Sequence, residues 1–314
     1  MNIYWNFEEI QRNENSIISL GTFDGFHRGH RVILDNLHEI ANKEKLRPVL
    51  LTIHPHPQLV LQKSDRTPIK LLTSIEERLK VYENYGVINA LIIPFTKEFA
   101  QTEPQSFVKD YLFNKIGFKK ILIGHDHLFG KNREGNPDLL DTLGNELGFS
   151  VEKISPFLYN NVIISSTKIR NALKENKLEI ANEYLGYNYF VTGVVVHGHH
   201  RGRNLGFPTA NFEIKDENKL MPVIGIYLVS TMIDEKLYYG MASIGVRPTF
   251  ENDNIINLEV NYFNFNEDIY GKKLIVNFHK YLRDEIKFDS IDELIKAIEN
   301  DKRECELILE NKLK

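Results

Sequence analysis

Two textures of hydrophobic patterning divide this chain. Through the first half, short runs that are apolar throughout alternate with stretches of helical periodicity. Ile17–Gly21, Arg47–His54, Val87–Pro94, Lys120–Gly124 and Phe149–Ile154 read as buried strands. Between them, helices run from the loop after Gly21 to about Lys43, over Ser74–Tyr85 and over Thr102–Ile116. A further one opens at Asn136-Pro137. Ser74/Glu77 and Thr102/Gln105 are spaced as capping boxes, with Gly86 and Gly117 as stops. Strands buried on both faces and separated by helices imply a doubly wound, Rossmann-like parallel sheet. Ligands of such a sheet gather at the carboxyl ends of its strands. The polar, glycine-bearing loops after Leu20, Thr52 and Ile123 fall there.

From about Tyr189 strand-like runs follow one another directly: Phe190–His197, Ile224–Ile233, Leu237–Gly245, Ile256–Phe263 and Lys273–Tyr281. That spacing predicts a small antiparallel β-barrel. A terminal helix completes it, with Ser290 and Glu293 as a capping box. Ile291, Leu294, Ile295, Ile298, Cys305 and Leu309 lie mostly on its inner face. The expected architecture is therefore α/β plus β, with domains at 1–186 and 187–314.

The 314 residues are 42% hydrophobic and 26% charged, enough for two cores without disulfides or structural metal. Cys305 is the single cysteine, which fits a reduced compartment and a core position on the last helix. A net charge of −4 gives no general attraction for nucleic acid or anionic membrane. The polar N-terminus lacks a signal-like apolar stretch, and no apolar run nears the ~20 residues of a membrane span. The expectation is a cytoplasmic protein that meets anionic ligands through local donor clusters.

Gly21-Thr22-Phe23-Asp24-Gly25-Phe26-His27-Arg28-Gly29-His30 joins the first strand to the first helix. Its glycines allow a tight turn and close approach of the backbone to a ligand. The helix start offers free N–H groups to an anion, and two histidines three apart can face one phosphate. The string resembles the H-x-G-H nucleotidyltransferases, and in its full form the bacterial bifunctional riboflavin kinase/FAD synthetase family. Leu51–Pro57, Ile123–Gly130 (IGHDHLFG) and Ile164–Arg170 (ISSTKIR) resemble further segments of that family in order. The resemblance implies transfer of AMP from ATP to FMN, giving FAD and pyrophosphate. It implies that His27 and His30 hold the ATP phosphates and that Gly21, Thr22, Phe23 and Gly29 line the nucleotide. Ser166, Thr167 and Arg170 would bind the β- and γ-phosphates, and Asp24 would be a polar contact to nucleotide or magnesium. Asp126 and His127 would face the flavin. His127 stands where the family usually carries an aromatic residue.

Gly193–Asn211 (GVVVHGHHRGRNLGFPTAN) is a glycine-punctuated loop after a strand, without the Gly-Lys-Ser/Thr ending of a P-loop. Its G-F-P-T-A-N segment resembles the P-T-A-N motif of riboflavin kinases. By that resemblance Gly198, Gly202, Gly206 and Pro208 approach ATP. Thr209 and Asn211 would place Mg²⁺ through oxygen ligands, as a hard cation prefers. Glu259 sits in an alternating strand and by pattern alone would be a solvent-face residue. The family places its catalytic carboxylate in this strand, which makes Glu259 the general base that a neutral hydroxyl acceptor calls for. Arg247 and Arg283 are candidate contacts to nucleotide or flavin. The expected ligands are riboflavin, FMN and Mg²⁺-ATP, with no zinc or haem.

Three rivals are weaker. The strings HPH, HDH and HGHH suggest a zinc hydrolase, but they are spread over two modules without an HExxH or cysteine pair. An aminoacyl-tRNA-type ligase would need a basic surface. A flavin-binding regulator with one or both activities lost keeps the fold but has no need of His27, His30, Arg170, Asn211 and Glu259 together.

Overall fold

The computed structural model describes all residues except 63–66, 125–126, 199–205, 248–254 and 313–314. Two compact units result, Met1–Ser166 and Thr167–Lys314.

In the first unit six strands form one parallel sheet: β1 (Asn2–Tyr4), β2 (Ser16–Gly21), β3 (Arg47–His54), β4 (Asn89–Pro94), β5 (Lys120–Gly124) and β6 (Ser150–Ile154). Their order is β1-β4-β3-β2-β5-β6. The chain moves outward from β2 to β4 and then returns to β5 on the other side. That reversal opens a crevice at the carboxyl ends of β2 and β5, where such sheets bind ligands. Alternate residues fill the two faces. Ile18, Leu20, Val49, Leu51, Leu91, Ile93, Ile121 and Ile123 share one buried cluster with Phe107, Leu112 and Leu140. On the opposite face Ile17, Leu50, Ile92 and Leu122 are also buried. Each such side chain contributes about 1.5–3 kcal/mol on leaving water, so a one-residue slip of register would be costly.

Helix α1 (Arg28–Glu44) follows β2 and buries Leu34, Leu37 and Ala41. A single turn, α2 (Pro57–Val60), follows β3. Helix α3 (Ile75–Asn84) carries the anticipated capping box, with both Ser74–Glu77 hydrogen bonds made. Asn136 caps α5 (Pro137–Leu147), accepting from the Leu139 N–H. The Thr102/Gln105 box does not form. Thr102 instead closes a 3-10 turn, donating its N–H to the Phe99 carbonyl. The helix begins at Pro104, whose missing N–H suits a first turn, as α4 (Pro104–Ser106). It continues over Phe107–Ile116 in π winding. Strand β1 was too short for periodicity to reveal; it pairs with the edge of β4.

A hairpin of β7 (Leu158–Tyr159) and β8 (Val162–Ile163) precedes α6 (Ser166–Lys174). In the second unit α7 (Leu178–Leu185) is fastened to the barrel by Asn182, which donates to the Phe278 carbonyl at 2.9 Å. The barrel is closed and antiparallel, in the order β10-β13-β12-β11-β14-β9 with β9 pairing back to β10. Its strands are β9 (Phe190–Val196), β10 (Ala210–Glu213), β11 (Gly225–Ile233), β12 (Lys236–Arg247), β13 (Ile255–Tyr262) and β14 (Lys273–Arg283). Val191, Val195, Leu258, Val260, Val276 and Phe278 alternate inward and are buried. Among these barrel strands the sequence pattern does not predict β10, because its four residues, Ala210–Glu213, carry too little alternation.

Helix α8 (Ile291–Lys312) packs Cys305, Ile298 and Leu309 against Leu228 and Met241. Burial pushes the Cys305 thiol up to about 12, which leaves it an unreactive core residue. Two expectations for this helix need correction. Ser290 accepts from the Glu293 N–H, but the Glu293 carboxylate returns to the Asp289 N–H rather than to Ser290, so the box is not reciprocal. Ile291 points to solvent.

Candidate active sites

At the carboxyl end of β2 the backbone enters left-handed conformations at Phe23 (φ 46°) and Phe26 (φ 33°). Such values are unfavourable for aromatic residues, and the surrounding packing has to hold them. Both rings are buried, and Phe26 meets Tyr82 edge-on at 5.0 Å. A Cβ at Gly21 would stand 3.0 Å from the Phe23 ring, tighter than ordinary contact, so glycine leaves that ring its place. The result is a rigid loop delivering His27 to the cap position of α1 and His30 one turn later. Their rings stack at 3.6 Å and 18°. A Cβ on Gly29 would lie 3.2 Å from the His27 ring, so this glycine keeps the stack open.

His30 is enclosed by Phe23, Phe26 and His27, and its Nδ1 has no hydrogen-bond partner among the described residues. Loss of water, then the nearby charges of His27 and Arg78, hold its pKa well below the ordinary 6.5. A depressed folded-state value means the unfolded chain binds the extra proton more readily. This contribution to stability is complete above pH 6.5 and is lost as pH falls toward the folded-state value. Thermal midpoints followed at Trp5, the single tryptophan, are expected to drop below that pH, and His30→Phe to flatten the drop.

Asp24 faces inward and is fully buried. Its carboxylate accepts from the Leu72 and Thr73 N–H groups, each at 2.9 Å, and from the Thr73 hydroxyl at 3.0 Å. The Thr73 hydroxyl also accepts from the Gly25 N–H. Arg78 of α3 lies 3.8 Å from the same carboxylate and donates to Thr52 at 3.1 Å. Thr52 in turn donates to the Thr22 carbonyl. The Ser166 hydroxyl donates to the Asp24 carbonyl at 2.8 Å, bringing the start of the SSTKIR segment onto the loop. Thr167 and Arg170 follow on α6, with Arg170 buried.

Thr52, Thr73 and Arg78 were missed in the sequence. Arg78 had a signal: Ile75, Arg78, Leu79 and Tyr82 follow the spacing of an inner helix face. At the end of β5, the His127 ring lies nearly parallel to Phe129 with centroids 6.0 Å apart. Asp126 falls outside the described residues.

In the second unit Glu259 lies on β13, opposite Asn211 of β10 and Ser243 of β12. Residues opposite one another in a ladder share a face, so Asn211 and Glu259 are neighbours by register. The Thr209 hydroxyl donates to Glu259 Oε2 at 3.1 Å, and the Asn257 amide donates to Oε1 at 2.7 Å. Asn261, on the same face, donates to the Pro208 carbonyl at 2.7 Å and ties the P-T-A-N turn to the strand. A Cβ at Gly198 would stand 2.3 Å from the Asn211 amide, so the loop backbone lies directly against that side chain. Gly206 takes φ 83°, and with Pro208 and Asn261 it borders an open cleft of about 280 Å³. Asn257 and Asn261 were not anticipated, although a polar residue at every second position of β13 marks the stripe.

Gly202 is outside the described residues, and Arg247 ends β12. Arg283 does not present an open guanidinium. It forms a two-pronged pair with Asp301 of α8, at 2.8 and 2.7 Å, and donates to the Asp284 carbonyl.

Known proteins give the same division. Residues 9–168 match the family model described as FAD synthetase, and residues 185–309 match that described as riboflavin kinase. Bifunctional riboflavin kinase/FMN adenylyltransferases are similar along nearly their whole length. The protein of Listeria monocytogenes is 35% identical, covering 92% of this chain and 91% of its own. That of Bacillus subtilis is 34% identical, covering 94% and 93%. That of Escherichia coli K12 is 37% identical, covering 92% and 91%. A crystal structure of a Streptococcus pneumoniae protein named for macrolide efflux superposes with TM-score 0.86 at 32% identity, over 96% of this chain and 97% of that one. Among the described residues here, no helix is long and apolar enough to cross a membrane. With both halves matched in order and relatives of this identity along the whole length, the chain belongs to the bifunctional riboflavin kinase/FMN adenylyltransferase family.

Proposed function

We infer that both activities of the family operate on this chain, each on Mg²⁺-ATP and in the cytoplasm, with the functional boundary at 186/187. The second unit phosphorylates riboflavin to FMN, and the first transfers AMP from ATP to FMN, releasing pyrophosphate. The observation that carries this reading is the pair of separately built sites: the stacked His27 and His30 at a parallel-sheet crevice, and Glu259 beside Thr209 and Asn211 on a barrel.

In the first site the attacking FMN phosphate is already ionised, so no base is required. Catalysis consists of aligning two polyanions and offsetting charge at the α-phosphorus. His27 and His30 supply N–H donors at the start of α1. Gly21, Thr22, Phe23 and Gly29 shape the floor, and Ser166, Thr167 and Arg170 bind the outer phosphates. Asp24 acts by holding the loop, since its oxygens are engaged by Leu72 and Thr73. His127 is the proposed flavin contact at the end of β5, with Asp126, outside the described residues, assigned to the flavin by the family resemblance.

In the second site a neutral ribityl hydroxyl must lose its proton as its oxygen attacks the γ-phosphorus. Glu259 takes that proton, and ADP leaves. Oxygen donors on Thr209 and Asn211 suit a hard cation, and Gly198 leaves room for Asn211 that a Cβ would fill. Among the described residues no three His, Cys, Asp or Glu side chains converge as a metal site, so phosphate and water oxygens would complete the shell. A Mg²⁺ held by Thr209 and Asn211 would offset the charge of the phosphates during transfer. Gly198, Gly206 and Pro208 are the proposed ATP contacts, and Gly202 (outside the described residues) is a further candidate, with Arg247 assigned to nucleotide or flavin by the family resemblance. Arg283 reaches a ligand only by opening its pair with Asp301.

Purified protein given riboflavin, ATP and Mg²⁺ is expected to form FMN first and FAD later, followed by chromatography. FMN accumulating without FAD would remove the first-site assignment. No conversion of either riboflavin or supplied FMN would remove both.

A further inference from the structure

We propose that Asn257 is a positioning residue for riboflavin phosphorylation, fixing the carboxylate of Glu259 so that one edge faces the acceptor hydroxyl. This rests on the reading of Glu259 as the base. The geometry is specific. Asn257 and Glu259 are two apart on β13, so both project from the same face, while Leu258 and Val260 fill the barrel. The Asn257 amide N–H lies 2.7 Å from Oε1, and the Thr209 hydroxyl reaches Oε2 at 3.1 Å. Each oxygen therefore has its own donor. A carboxylate on a two-methylene arm otherwise samples several rotamers, and a clamp at both oxygens selects one.

The clamp has an asymmetry. Thr209 sits in the P-T-A-N turn, whose hydroxyl is also the proposed contact to the cation. Asn257 belongs to β13 itself, paired through Gly245 with β12, and can hold Oε1 whatever the turn does. Removing it should therefore loosen the aim of the base.

The test is steady-state riboflavin phosphorylation by the full chain, comparing Asn257→Leu, Asn257→Gln and Glu259→Ala with the unsubstituted protein. Asn257→Leu has similar bulk and no donor. It is expected to lower kcat about tenfold, with KM for riboflavin and ATP changed by no more than roughly twofold. At an unchanged melting point, that split is one a purely structural role would not produce. Asn257→Gln keeps the amide on a longer arm and should restore part of kcat. Where Leu compromises folding, shown by a lowered melting point, Asn257→Ser is too short to reach Oε1 and is expected to give the same split. Full kcat in these variants, with Glu259→Ala inactive, would overturn the role of Asn257 alone. Retained turnover in Glu259→Ala would overturn the assignment of the base beneath it.

Discussion

Replacing Glu259 with Ala is expected to lower riboflavin phosphorylation by about 10²–10⁴-fold while adenylylation of supplied FMN continues at its original rate. Its complement, His30→Ala, is expected to cut FAD formation by about 10²-fold or more and to leave FMN formation intact. The argument is one of chemistry and of separate construction. A ribityl hydroxyl has a pKa far above 7, so its oxygen becomes a competent nucleophile only as the proton leaves, and Glu259 is the proposed acceptor. A phosphate needs no such help, so loss of a carboxylate should not touch the second reaction. The side chains that hold Glu259, Thr209 just before β10 and Asn257 on β13, both lie in the barrel unit. Those that hold His30, namely Phe23, Phe26 and His27, all lie in the sheet unit. Flavins separated after incubation with riboflavin or with FMN give both rates from one preparation. A Glu259→Ala protein that still converts riboflavin, or a single substitution that stops both reactions, would contradict the two-site reading.

What the sequence disclosed follows from how local each signal is. Apolar runs such as KILIG and RPVLLTIH fix strands at Lys120–Gly124 and Arg47–His54 because burial on both faces leaves no polar position to blur the pattern. The capping box at Ser74 and the Asn136 cap are likewise written within four residues. Thr102 shows the limit: the same spacing failed because Pro104 starts the helix two residues later and Thr102 is used by the turn before. The loop with His27 and His30 was legible as a string. Its support was not, because Asp24 meets Leu72 and Thr73 across 48 and 49 residues, and Ser166 meets Asp24 across 142. Arg283 reads as a free cation until the pair with Asp301, eighteen residues on, is seen. Only tertiary contacts carry that information.

That hidden support is where the other large effect is expected. Arg78→Leu should destabilise the sheet unit by about 3–5 kcal/mol, because it leaves the fully buried Asp24 without its counter-charge. Against the ~5–15 kcal/mol that holds a typical domain, this is a large fraction. The two charges are not in tight contact at 3.8 Å, and Asp24 keeps three donors from Leu72 and Thr73. Much of the cost therefore comes from stranding a charge in a dry interior rather than from losing one contact. A second substitution distinguishes the two contributions. Asp24→Asn removes the stranded charge while keeping an acceptor for one N–H, so the double variant should recover at least about 1 kcal/mol relative to Arg78→Leu. Activity should separate as well. The Thr22 carbonyl is held through Thr52 by Arg78, so adenylylation should fail at a lower temperature than riboflavin phosphorylation, whose residues lie in the barrel. Arg78 also helps keep His30 neutral, so its removal should raise the His30 pKa toward 6.5 and make the acid loss of stability smaller. Strictly additive destabilisation by the two substitutions, with an unchanged pH profile, would show that Arg78 supports neither Asp24 nor the histidine loop.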